Sequence, residues 1–109
     1  MMQTREQVYR AIDSERDHQD RKWGTIQQHP HEVGAWLTLI RQHLRDAESA
    51  WCNSNGDYMA LQEVRKIAAI AVACAEQHGI THRSKFQEPT IESMRSNDRL
   101  LRETPGGPR

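Results

Sequence analysis

The chain has 109 residues, enough for one domain, and fifteen Lys and Arg balance fifteen Asp and Glu to a formal net charge of zero. No global field therefore draws it to double-stranded nucleic acid or to an anionic membrane, and no apolar run approaches the roughly 18 residues that a membrane span needs. With 36% apolar residues and a mean hydropathy of −0.90, the core is lean for a self-sufficient monomer although three Trp are present, a combination that points to a dimer or tetramer. The two Cys demand no disulfide, and Met1 to Arg5 lacks an apolar signal-peptide core, so the expectation is a cytoplasmic protein with reduced thiols.

Thr4-Arg5-Glu6-Gln7 has the spacing of a capping box and opens a first helix, expected from about Arg5 to about Lys22. Val8, Tyr9 and Ile12 form a stripe in its first half, after which no hydrophobe occurs until Trp23. Such a charged run has the composition of a solvated helix face. Its spacing also sets Glu15, Gln19 and Trp23 on one side with Arg16 beside them. A basic, amide-bearing face ending in Trp can hold a phosphate and stack a base, which makes Arg16, Gln19, Lys22 and Trp23 candidate nucleotide ligands. A packing anchor at a helix end is the more frequent role for a Trp so placed.

Gly24 stops that helix, Thr25 to His29 form a linker, and His29-Pro30-His31 is expected to start the next helix, since proline suits a first turn. His29 and His31 form a pair without a third metal ligand close in sequence. From Val33 onward, Trp36, Leu37, Ile40, Leu44, Ala47 and Trp51 recur at steps of three and four and draw one apolar stripe. Asn53 to Asp57 has turn composition. Leu61, Val64, Ala68, Ala71 and Ala75 then form a second stripe, thickened by Ile67, Ile70 and Val72. The expected product is an antiparallel hairpin, Trp36 to Glu76, whose stripes meet, with the small, almost uniformly apolar run Ala68 to Ala75 buried on more than one side.

Gly79 ends the second arm, preceded by His78 in its last turn. Residues 81–109 change character: a polar loop, a short helix opened by Pro89-Thr90 and carrying Ile91, Met94, Leu100 and Leu101, and a Pro/Gly tail. The expected fold is thus an all-α antiparallel bundle of three main helices plus a short C-terminal helix, with a helical domain over residues 1–80 and an appendage over 81–109.

Glu15-Arg16-Asp17-His18-Gln19-Asp20-Arg21-Lys22-Trp23-Gly24, the His-containing loop, Trp36-Leu37-Thr38-Leu39-Ile40 and the alanine-rich run Ile67 to Cys74 together resemble the MazG-like all-α nucleoside triphosphate pyrophosphohydrolases, especially the short versions frequent in phages and prophages. The resemblance covers roughly residues 12 to 78. No glycine-rich phosphate loop, Ser/His/Asp set or paired CxxC competes with it. It implies a hairpin whose carboxylates, in a Glu-Glu-x-x-Glu pattern on one arm and a Glu-x-x-Asp pattern on the other, converge on Mg²⁺ to cleave between the α and β phosphates.

Aligned on Trp36-Leu37, the first pattern falls on Gln42, His43 and Asp46; aligned on the alanine run, the second falls on Glu63 and Lys66. Two carboxylates remain, and an ammonium replaces a ligand. The expectation is a nucleotide-binding protein with an impaired Mg²⁺ site and no resident cofactor. It would hold a nucleotide or cyclic nucleotide signal through Arg16, Gln19, Lys22, Trp23 and Lys66, with Lys66 in the place of the metal. Sequestration of a host nucleotide messenger by a phage protein is a specific form of that expectation. The alternatives are an active pyrophosphohydrolase, in which His43, Asp46 and Glu63 hold Mn²⁺ or Mg²⁺, and a helical protein-interaction module in which Asp46 or Glu63 forms an ordinary interhelical ion pair with Lys66 or Arg45.

Overall fold

The computed structural model describes residues 2–53 and 56–83, and it is all-helical there: α1 (Arg5–Trp23), α2 (Val33–Cys52) and α3 (Gly56–His78). The expected C-terminal helix and tail lie outside the described residues. No helix among the described residues is long and apolar enough to cross a membrane.

The capping box forms as expected. Thr4 Oγ1 accepts the Gln7 backbone N–H at 3.1 Å while Gln7 Oε1 accepts that of Thr4 at 2.8 Å, so two orphan donors of the first turn are satisfied. The helix ends where Gly24 takes φ +88°, its N–H donating to the Asp20 carbonyl at 2.9 Å. Gly79 at φ +86° closes α3 in the same way, through a 2.7 Å bond to the Ala75 carbonyl.

The start of α2 differs from expectation. Pro30 does not open it; Glu32 is the N-cap residue and Val33 the first helical one. The reason lies in α3, because Gln77 clamps His31 on both backbone groups, accepting its N–H at 3.0 Å and donating to its carbonyl at 2.6 Å. That clamp holds residues 30–32 as an extended strap across the end of the bundle, so they are lost to the helix.

The central helix is α3, with α1 and α2 both packed on it and their own backbones held apart. The expected burial of the small run on α3 is met in part: Ala69, Ile70 and Ala73 are buried, whereas Ala71 and Val72 stay exposed. The core proper is Trp36, Ile70 and Ala73, extended by the half-buried Ile26, Ile40 and Cys74.

The two stripes do not simply meet, which corrects the sequence reading. Trp36, Ile40 and Ala47 turn toward α3, whereas Val33, Leu37, Leu44 and Trp51 of the same stripe stay exposed, as do Leu61 and Val64 opposite. The apolar arc on α2 is simply wider than the single contact that α3 offers it. Cys52 and Cys74 are both free thiols.

The buried residues of α1 are all polar, with Ile12 half-buried beside them. They are Glu15, Arg16 and Gln19, and each finds a partner on α3. Arg65 Nε donates to Glu15 at 2.7 Å, Arg16 Nε to Glu76 at 2.9 Å, and Gln19 Nε2 to the Lys66 carbonyl at 3.3 Å. The charged run thus reads neither as a wholly solvated face nor as a free ligand-binding face; part of it fastens the helix.

Candidate functional site

Between α1 and the N-terminal half of α2, above the core, lies a cavity of about 310 Å³. Its floor is apolar, formed by Trp36, Ile70 and Ala73, and its walls carry Arg16, Gln19 and Trp23 from α1, Ile26, His29 and His31 from the connecting segment, and Leu39 and His43 from α2. An apolar cleft with a few convergent polar groups, near the lower end of the roughly 300–1,000 Å³ typical of ligand pockets, is the common form of a small-molecule site.

Its rigid part is the strap and the indole beneath it. Trp36 Nε1 donates to Gln77 Oε1 at 3.0 Å, and the His31 ring meets the Trp36 ring edge-on, with centroids 4.8 Å apart and planes at 72°. His78 Nε2 lies 2.9 Å from the His31 carbonyl. Gly24 is equally constrained: a Cβ there would come within 2.6 Å of His29 Cδ2.

The α1 candidates divide. Arg16, Gln19 and Trp23 all line the cavity. Arg16 is buried and doubly paired, through Nε to Glu76 and through Nη1 to Asp20 at 2.7 Å. The Glu76 hydrogen bond, opposed by burial and reinforced by Asp20, holds its guanidinium above its usual pKa. Trp23 is about half exposed. Lys22 does not line the cavity; its Nζ sits 5.0 Å from the Trp23 ring centroid and covers one face of the indole.

Beside the cavity, across the α2–α3 hairpin, the residues that the resemblance singles out converge. Ligand-type atoms of His43, Asp46 and Glu63 lie within 4.8 Å of one another. Glu63 is the hub: Oε2 is 2.9 Å from His43 Nδ1 and Oε1 is 3.0 Å from Lys66 Nζ. Burial disfavours the Glu63 charge, but the hydrogen bonds from His43 and Lys66 outweigh it and hold the carboxyl below its usual range. An ionised carboxylate only accepts, so the hydrogen of that first contact sits on His43 Nδ1.

This donor set does not suit Mg²⁺, a hard cation that needs near-octahedral oxygen coordination. One of the three donors is an imidazole nitrogen, and both Glu63 oxygens already accept, one of them from an ammonium. A cation tolerant of imidazole, such as Mn²⁺, matches the donor types once Glu63 is released. Lys66 lies outside the cavity lining, so of the five candidate nucleotide residues the cavity gathers Arg16, Gln19 and Trp23.

Sequence reasoning missed the aromatic and histidine lining supplied by Trp36, His29 and His31, and the role of Gln77. The His29/His31 spacing was a signal, though for a metal pair. The bond from Gln77 to Trp36, 41 residues away, had no local signature. No family model matches the chain, and neither a curated protein nor a solved structure matches it.

Proposed function

We propose that this protein binds a nucleotide or a nucleotide signal and does not hydrolyse it. The observation that carries the reading is the double membership of His43, which lines the aromatic cavity and belongs to the Glu63 cluster. One ligand spanning both would need a flat, partly apolar ring at one end and an anionic chain at the other, and a nucleotide has that shape. In this reading the ring lies over Trp36 and stacks on the face of Trp23 that Lys22 leaves open, base–aromatic stacking contributing about 1–3 kcal/mol. Gln19 and Arg16 supply donors along the wall, and Lys66 is the cation nearest the phosphates. It stands where the MazG-like pattern would place a metal ligand, and it gives binding a positive partner without giving hydrolysis a metal-activated water. Sequestration of a messenger nucleotide is the biological form of the same proposal.

A second reading has its own observation. The convergence of His43, Asp46 and Glu63 within 4.8 Å supports a metal-dependent pyrophosphohydrolase using Mn²⁺, with Glu63 freed from Lys66.

Calorimetric titration against a panel of nucleoside triphosphates and cyclic oligonucleotides, with and without Mn²⁺ and with pyrophosphate assayed in each mixture, separates the two. Binding with intact ligand recovered, weakened about tenfold by Trp23→Ala as loss of one stacking contact implies and weakened also by Lys66→Glu, is the result expected. Metal-dependent pyrophosphate release, abolished by Glu63→Ala and Asp46→Ala, establishes the hydrolase instead. Silence in both channels refutes both.

A further inference from the structure

The exposed hydrophobes of α2 are arranged with a symmetry of their own. Leu37, Leu44 and Trp51 are 54%, 49% and 63% exposed, and they follow one another at intervals of seven residues. At about 100° per residue this is a nearly straight stripe, turned roughly 100° or more around the helix from the cavity-lining Leu39 and His43. It therefore leaves the cavity alone. Along its outer edge run Arg41 and Glu48, again seven residues apart, three before Leu44 and four after it. Neither forms an ion pair among the described residues.

We propose that this stripe is the contact surface for a second copy of the chain, with α2 lying antiparallel to α2 of the partner and Leu44 at the twofold axis. The pattern is self-complementary under that operation. Leu44 meets Leu44 of the partner subunit, and Leu37 meets Trp51 of the partner subunit on either side. Antiparallel packing brings the same edge of both helices together, so Arg41 lies beside Glu48 of the partner subunit, twice by symmetry. The lean core argues in the same direction: among the described residues only Trp36 and Ile70 are large buried hydrophobes, while the residues that would complete an apolar layer face outward. A monomer exposing Leu37, Leu44 and Trp51 leaves this apolar line in water; a twofold dimer covers it and keeps both cavities open.

Sedimentation equilibrium of the full chain tests the assembly and its register. The wild-type chain is expected at twice 12.6 kDa, and Leu44→Asp at the single-copy mass with unchanged far-UV circular dichroism, since the site is half exposed. Arg41→Glu and Glu48→Arg should each weaken the dimer, and the double exchange should restore it. That restoration does not depend on how well Leu44→Asp folds. A single-copy mass for the wild-type chain, as coverage of the stripe by its own residues 84–109 would give, overturns the proposal. So does a dimer indifferent to both Leu44→Asp and the single charge reversals, or a double exchange that fails to restore association.

Discussion

Gln77 accepts the indole N–H of Trp36 at 3.0 Å and with the same side chain grips both backbone groups of His31. One amide near the end of α3 thus sets the rotamer of the largest core side chain, the path of the strap and the start of α2. Replacing it by an apolar residue of similar length leaves the buried Trp36 Nε1 without a partner. Gln77→Leu should lower unfolding free energy by about 2 kcal/mol, read from urea denaturation, and should shift the Trp emission of the folded state.

Arg16 carries the second expectation. Its side chain is only 8% exposed and pairs with Asp20 and Glu76, which are 34% and 47% exposed. Removing the cation leaves two carboxylates close together with no positive partner, although solvent at Glu76 softens the penalty below that of a fully buried pair. Arg16→Met should destabilise the protein by about 1–3 kcal/mol, measured by denaturant unfolding. Glu76→Gln should cost less, because it keeps a hydrogen-bond acceptor for Arg16 Nε.

A pH dependence follows from Glu63. Its folded carboxyl titrates below its ordinary value of 4.5, so the folded state favours the ionised form. The associated stability is fully present above that value and is lost as pH falls through the lower, folded one. In thermal melts from neutral pH into the acid range, the gap in Tm between wild type and Glu63→Gln should hold until about pH 4.5 and then narrow. A gap that widens on acidification would contradict the His43–Glu63–Lys66 geometry.

In the metal-dependent reading, Lys66 would compete with a cation for the Glu63 carboxylate that it holds. Exchanging Lys66 for Asp removes the ammonium 3.0 Å from Glu63 Oε1 and adds an oxygen donor beside His43 and Asp46. Titration with Mn²⁺ should show at least about tenfold tighter binding in Lys66→Asp than in wild type. The same variant should bind a nucleoside triphosphate more weakly when no divalent cation is present.

Gly24 has a left-handed φ, and the side chains of His29 and Gln28 lie where its Cβ would be. Gly24→Ala places a methyl 2.6 Å from His29 Cδ2 at φ +88°, so strain and collision add. A loss of about 1–3 kcal/mol in denaturation and a displaced His29 resonance in the NMR spectrum are expected.

Much of the architecture was legible because it is local. The Thr4/Gln7 box, the Gly24 and Gly79 stops and the three-and-four spacing of Trp36, Ile40 and Ala47 are written within a few residues of where they act. The His43–Asp46–Glu63 cluster was legible only through the resemblance, whose carboxylate patterns fall on those residues. What escaped were contacts between residues far apart in the chain that obey no period, such as Arg65 with Glu15, Arg16 with Glu76 and Gln77 with Trp36. The start of α2 was misplaced for the same reason, since proline's preference for a first turn gave way to a side chain 46 residues downstream. The width of the α2 apolar arc was visible, but a stripe does not say which of its edges a single neighbour will cover.

The polar seam between α1 and α3 makes one wall of the cavity a different kind of object from the other. The α2 wall stands on the Trp36–Ile70 core, whereas the α1 wall is fastened by exchangeable charges, chief among them Arg16. Arg16 also lines the cavity, so any anion that engages it draws on the group that Glu76 and Asp20 already hold. In the proposed reading latch and bait are one side chain, and occupancy of the cleft would be tied to how firmly its first helix is closed.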